Sequence, residues 1–398
     1  MFAETRARKR QAKSVSSFCD LGWNPNGFAG RCQSRYHVQH ADDTQFYAYG
    51  DMVKEKTAPR EFLLLCIMLL KRGGKTRIIC LKNRRALITT AVSVLTYDVV
   101  TNLQGIDAGI LAHEDNTTTY IYNQIRHLHA RVPKELRPAL GRANENEMRF
   151  GAKYQEEFED GNLGLMSRIS CRTAGGHYPF SGYTLRIAHF SEGPKWQGDK
   201  ARHADIQMSV LNAIPAQGPS LVIDEGTANG KNNLFYERWT RAWDKKSSPD
   251  GIDWHPFFVK WTHDPSNYLP IPKDYEWEAW PRDDQDYERS LRANHGLADE
   301  QLLFRRFKVI EACNGDPSVF AQDYPLTPQE AFISHVASVF PQRVIDQQRK
   351  HVMRPLAHYQ LRLLEGTNEE DATSGKVAWR GNDLVGTPDG GPGISSRL

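Results

Sequence analysis

From Arg77 onward, short apolar runs alternate with longer amphipathic stretches, and that alternation predicts an α/β protein. Ile78-Ile79-Cys80-Leu81 predicts the first buried strand and Thr89–Asn102 the first helix. Ala108–Ala112 and Thr117–Ala130 repeat the pair. Arg168–Thr173, Thr184–Phe190 and Pro219–Asp224 predict further strands. Apolar strands separated by helical stretches argue for a mainly parallel sheet with helices on both faces. Upstream, Phe62–Leu70 is too short to span a bilayer and predicts a buried helix before a turn at Gly73-Gly74. Downstream, Val344–Leu364 predicts a helix, while Gly366–Gly375 is polar and acidic and the Gly- and Pro-rich end is expected to be disordered. The expected organisation is a flexible basic tail over 1–15, a lead-in or lid over 16–75, the α/β domain over 76–345, and a linker and tail over 346–398.

Composition narrows the class without deciding the function. The 398 residues are 39% hydrophobic and 25% charged, which suits a soluble globular chain with a sizeable core. No apolar run is long enough for a membrane span, and the charged start MFAETRARKRQAK lacks the apolar centre of a secretory leader. Six scattered cysteines without a CxxC pair point to a reducing cytoplasm. Cys32, His37 and His40 lack a fourth ligand at zinc spacing, so a structural role is expected for them. A net charge of +3 is too mild to identify a nucleic-acid partner, although Arg6, Arg8, Lys9, Arg10 and Lys13 crowd one end in a way that suits phosphates or a solvated terminus.

Two segments compete for the role of a phosphate loop. Gly73-Gly74-Lys75-Thr76 imitates the end of a P-loop, but it precedes its strand, whereas a P-loop must follow the strand and open the helix. Lys82–Thr90 has the right order: strand, basic loop, then hydroxyls in the first helical turn. There Lys82, Arg84 and Arg85, as cations for phosphates, and the hydroxyls Thr89 and Thr90 are the candidate ATP-binding residues, and Thr89 is also a candidate Mg²⁺ ligand. By itself this pattern is shared by many strand–helix loops. A second strand is expected to end beside the first and deliver the acids that hold Mg²⁺ and position the attacking water. Leu185–Glu192 fits, with Ser191 as candidate metal ligand and Glu192 as candidate catalytic carboxylate. Val222–Gly230 is another strand running into a small polar turn, suited to sensing the γ-phosphate.

The order and wording of these segments resemble the large subunits of tailed-phage terminases. Lys82–Thr90 is similar to the family's Lys-x-Arg-[Arg/Gln]-x-Gly-x-Ser-Thr loop, and Ala112-His113-Glu114 to its small-residue–His–acid turn. Thr173-Ala174, Ser181-Gly182-Tyr183-Thr184 and His189–Glu192 with Trp196 resemble the approach to the Walker B strand. Glu225–Gly230, with Asn233, Phe235, Tyr236 and Trp239, is similar to the coupling motif, and Leu297–Arg306 and Phe320–Phe332 to the closing segment.

The resemblance implies a P-loop ATPase-type fold and an ATP-hydrolysing motor that packages viral DNA in the host cytoplasm. It implies ATP and Mg²⁺ as cofactors, Thr227 and Asn229 as coupling residues, and double-stranded DNA, a small terminase subunit and a portal ring as partners of a homo-oligomer. Three positions depart from the family. Leu87 stands in place of glycine, Ile88 in place of the P-loop lysine (a role then expected of Arg84 or Arg85), and Ser181 in place of an arginine. Gly375–Trp379 resembles the lead-in to a nuclease domain, but Asp383 and Asp389 are too few acids for a two-metal site, so no nuclease activity is expected. The alternative is a truncated prophage remnant that binds nucleotide or DNA with weak or no turnover. A helicase-type remodelling ATPase shares the core sheet but calls for a second ATPase-like domain.

Overall fold

The computed structural model describes residues 27–39, 45–55, 57–71, 75–151, 161, 164–175, 178–245, 253–277 and 282–332. All belong to one compact unit that ends at His335. His40, Gly73-Gly74, the basic tail and everything expected beyond Phe332 lie outside the described residues.

A two-stranded ribbon, β1 (His37–Gln39) and β2 (Phe46–Ala48), comes before the eight strands of the central sheet: β3 (Lys75–Lys82), β4 (Asp107–Ala112), β5 (Arg142–Ala143), β6 (Glu147–Phe150), β7 (Ser167–Thr173), β8 (Leu185–Ser191), β9 (Ser220–Gly226) and β10 (Trp254–Val259). Their order is β10-β3-β9-β8-β4-β7-β6-β5. The first six run parallel, and the β6–β5 hairpin closes one edge antiparallel. This is the α/β, mainly parallel arrangement expected from the apolar runs. One expectation needs correcting: β8 does not end beside β3, because β9 is inserted between them. Thus three neighbouring strand ends, not two, face whatever lies beyond Lys82.

Parallel strands covered on both faces must be apolar throughout, and β9 (SLVIDEG) is buried at every position. Alternation then divides the residues between two cores. On β3, Ile78 and Cys80 join one cluster, whereas Ile79 and Leu81 join the other. On β9, Leu221 and Ile223 take the first face and Val222 the second. The same parity sends Glu225 to the first face and Asp224 to the second.

Helix α4 (Ile88–Asn102) follows β3 on the first face and is buried almost all round, from Ile88 to Val100. A helix apolar on every side belongs in the interior. It packs between α3 (Thr57–Lys71), which follows the short α2 (Tyr49–Glu55), and α5 (Asp115–Arg131). The lead-in is built into this core through α1 (Phe28–Ser34): Arg31 Nη2 donates to Asp98 Oδ2 at 2.8 Å, and the Tyr36 hydroxyl donates to the same fully buried carboxylate. On the second face lie α6 (Lys200–Asn212) and α7 (Leu234–Trp243), capped by Asp199 and Asn233. A third cluster around Trp261 joins α8 (Arg282–His295), α9 (Asp299–Ala312) and α10 (Pro317–Asp323). Sheet strands β5, β6 and β10 carry no continuous apolar run of the kind that marks the others. In β10, Pro256 and a half-buried centre mask the signal.

Candidate active site

The carboxyl ends of β3, β9 and β8 and the first turn of α4 bring together six polar side chains, all buried or half-buried. Parallel α/β sheets place ligands at that edge, outside the strand ends and against helix N-termini. Lys82 is the last residue of β3, and its Nζ lies 2.8 Å from Glu192 Oε1 and 3.0 Å from Glu225 Oε2. Thr89, in the first turn of α4, donates its hydroxyl to Glu225 Oε1 at 2.9 Å and lies 3.4 Å from Lys82 Nζ. Ser191, the last residue of β8, donates to the same Glu225 oxygen at 3.0 Å. His189 Nε2 approaches it at 3.2 Å, in a ring with no exposure to solvent.

Glu192 follows β8 in a left-handed conformation (φ 50°, ψ 43°), a backbone state that non-glycine residues adopt only under local constraint. Its Oε2 accepts from the Thr227 hydroxyl at 3.1 Å and pairs with Lys195 Nζ at 3.1 Å. Asn229 donates to the Pro194 carbonyl at 3.0 Å, so the polar turn after β9 grips the turn after β8 from two sides. Gly193 between them has no room for a side chain, because a Cβ there would strike Asp224 Oδ1. Trp196 completes the brace by donating its indole N–H to the Ser191 carbonyl at 3.1 Å.

Charge and burial act against each other here. Burial alone would push Lys82 down, but the Glu192 and Glu225 carboxylates outweigh it and hold the ammonium well above its ordinary value. Burial alone would raise both acids. For Glu192 the Lys82 and Lys195 ammonium groups prevail, and for Glu225 Lys82 and the His189 hydrogen bond prevail, so both are held below the usual carboxylate range. The set is two anions against two cations, Lys82 buried and Lys195 partly exposed.

The loop between β3 and α4 is where the remaining predicted residues diverge. Arg84 is exposed and pairs with Asp323 of α10 at 2.7 Å, and Arg85 is exposed with φ at 60°. The cation between the carboxylates is therefore Lys82, rather than Arg84 or Arg85 as expected for the P-loop lysine role. Thr90 is turned away, with Gln124 of α5 donating to its hydroxyl at 3.4 Å. Leu87 caps α4 with φ 57° and ψ 16°, the left-handed region that glycine adopts without cost. Cys32 is buried in the core with its thiol pushed up by burial, and no group of three or more His, Cys, Asp and Glu is placed to hold a metal ion among the described residues.

The sequence matches no protein-family model and no curated protein. Solved structures to which it is similar include phage large terminases. A point variant of the large-terminase ATPase domain of Thermus phage P74-26 aligns with a TM-score of 0.37 and 17% identity, over 60% of this chain and 89% of that domain. The large terminase of bacteriophage HK97 aligns with a TM-score of 0.45 and 15% identity over 75% of this chain. The large terminase of a thermophilic bacteriophage, in complex with ADP, aligns with 0.38 and 13% over 61%. This chain spans about half the length of the latter two, 54% and 50%.

Glu225, His189 and Lys195 are not among the chemical residues that the sequence predicts. Glu225 was placed only as the first residue of a turn motif. Parity supplies the missing signal: consecutive acids at the end of a strand buried on both faces must point opposite ways, one of them toward the helix after β3.

Proposed function

We propose that this chain is an ATP-hydrolysing motor subunit of the phage terminase kind, coupling hydrolysis to the movement of double-stranded DNA. One observation carries the reading: Lys82 and Thr89, from the strand–loop–helix unit β3–α4, meet Glu192 and Glu225 from the two adjoining strand ends. A cation, a helix N-terminus, hydroxyls and carboxylates at one sheet edge are the parts that phosphoryl transfer uses. The motif order Lys82–Thr90, His189–Glu192 and Glu225–Gly230 supports the same conclusion.

In this reading Lys82 turns from the carboxylates to the phosphates, and Glu192 accepts a hydrogen bond from the attacking water and orients it. Mg²⁺, when bound, neutralises charge on the phosphates, and the oxygen-only donors Thr89 and Ser191 fit such a hard cation. Thr227, bonded to Glu192, and Asn229, bonded to the Pro194 carbonyl, report the state of Glu192 to α7 through the turn they share. The small terminase subunit, a portal ring and further copies of the chain are the partners this function requires, in the host cytoplasm. No described helix is long and apolar enough to cross a membrane.

Purified protein is expected to hydrolyse ATP with Mg²⁺, and Glu192→Gln to lower turnover by roughly 10²-fold or more while nucleotide still binds. Equal turnover in the two proteins removes Glu192 from this role. A second reading, a nucleotide-binding remnant with little turnover, draws on one specific observation: Leu87 occupies a left-handed position in the phosphate loop, where its Cβ obstructs close backbone approach. Leu87→Gly combined with Ser181→Arg separates the two readings, since a large gain in turnover marks intact but hindered machinery.

A further inference from the structure

The serine at position 191 leaves β8 without the carboxylate that a metal-dependent phosphoryl-transfer site needs, and the adjoining strand supplies one. We infer that Glu225, at the end of β9, is the carboxylate through which this site holds its divalent cation, with the Lys82 ammonium keeping that place until nucleotide arrives. The inference rests on the ATPase reading above and assigns the metal-holding role within it.

Three observations carry it. The first is convergence. Thr89 from α4 and Ser191 from β8 both donate to a single atom, Glu225 Oε1, at 2.9 and 3.0 Å. A divalent cation of the Mg²⁺ type takes oxygen ligands only and is commonly held by one or two carboxylates beside hydroxyl and phosphate oxygens. Two hydroxyls and a carboxylate gathered from three elements form that donor set, and Glu225 is its charged member.

The second is orientation. Glu225 is fully buried, and His189 Nε2 fixes the same oxygen at 3.2 Å from a ring that is itself wholly buried. Buried second partners of this kind orient metal-holding carboxylates.

The third is charge. Glu192 and Glu225 are balanced by Lys82 and Lys195. When Lys82 turns to a phosphate, Lys195 remains with Glu192, but Glu225 is left with two hydroxyls and an imidazole. A buried carboxylate stripped of its counter-charge is strongly disfavoured. A divalent cation entering with the nucleotide restores the balance, so nucleotide and metal should bind cooperatively through this residue.

The test measures affinity for ADP, read with a fluorescent derivative, in excess EDTA and in excess Mg²⁺. Wild-type protein is expected to bind about tenfold or more tightly with Mg²⁺, and Glu225→Gln to bring that ratio close to one. Glu225→Gln combined with Ser191→Asp returns a carboxylate to the neighbouring strand end and is expected to restore the ratio. The double variant also keeps the test decisive if the single variant fails to fold. A ratio unchanged in Glu225→Gln, or not restored in the double variant, overturns the inference and leaves the ATPase reading standing. Wild-type protein that binds no nucleotide under either condition overturns both.

Discussion

Asp224 and Glu225 are consecutive residues of β9, both fully buried and both ionic, yet they face opposite sides of the sheet and keep different company. Asp224 points between α6 and α7, where Arg238 Nη1 donates to its Oδ2 at 2.6 Å and Gln207 Nε2 lies at 3.3 Å. Arg238 is itself held, bonding Gln207 Oε1 at 2.5 Å and stacking 4.3 Å over the Trp254 ring. Glu225 meets a lysine shared with a second carboxylate, two hydroxyls and a histidine. A planar guanidinium locked on three sides makes a brace, whereas a flexible ammonium divided between two acids is free to exchange. Burial acts on both carboxylates alike, and their partners alone distinguish the braced side from the exchangeable one.

The largest expected effect lies on the braced side. Arg238→Met leaves Asp224 buried without a counter-charge and should cost about 3–5 kcal/mol in chemical denaturation. Nucleotide affinity, measured where the variant remains folded, should stay within about twofold. A large affinity loss with little loss of stability would reverse the assignment of the two faces.

Acid titration of stability gives the next contrast, because the neighbours have opposite signs. Glu225 is depressed in the folded state, so its contribution is present above the unfolded value of about 4.3 and is lost as pH falls below it. Burial raises Asp224 despite Arg238, so its contribution is present below about 3.9 and is lost as pH rises through the folded value. As pH falls from neutral, the stability advantage of wild type over Glu225→Gln should therefore shrink, while its difference from Asp224→Asn should shift in favour of wild type. His129, pushed down to about 4 by burial and by Arg137, costs stability between about pH 6.5 and 4 in all three proteins and cancels in the differences. Parallel shifts in the two variants contradict the contrast.

The smallest effect concerns the loop that joins Lys82 to α4. Leu87→Gly removes the penalty of a left-handed leucine, expected to raise stability by about 1 kcal/mol less the entropy cost of the glycine. Denaturant midpoints compare the two proteins, and a loss of stability would show that the leucine side chain contributes more than its backbone costs.

Much of the sheet was legible because buried parallel strands are apolar runs. β3, β4, β7, β8 and β9 were each found, with ends displaced by up to a few residues, since hydrogen bonding continues past the apolar stretch into Lys75, Lys82, Ser191 and Gly226. β10 and the β5–β6 hairpin were not found. Pro256 interrupts one, and the other is too short to establish a period. The site was legible only as separate segments. Lys82, Thr89, Ser191 and Glu192 were each picked out by position after a strand, whereas Glu225 becomes chemistry only once β9 lies between β3 and β8. Sheet order is a non-local property, and no window along the chain contains it. Arg84 shows the converse: it has the right charge at the right spacing, but Asp323, far along the chain, takes it.

In the proposed mechanism, β3–α4 and the ends of β8 and β9 form a single nucleotide site with Lys82 as its cation. Equilibrium binding of fluorescent ADP to wild type and Lys82→Met, with folding verified by thermal melting, tests this most directly. The account predicts a loss of about tenfold or more in affinity, at least about 1.4 kcal/mol. Equal affinity in a folded Lys82→Met protein would contradict it.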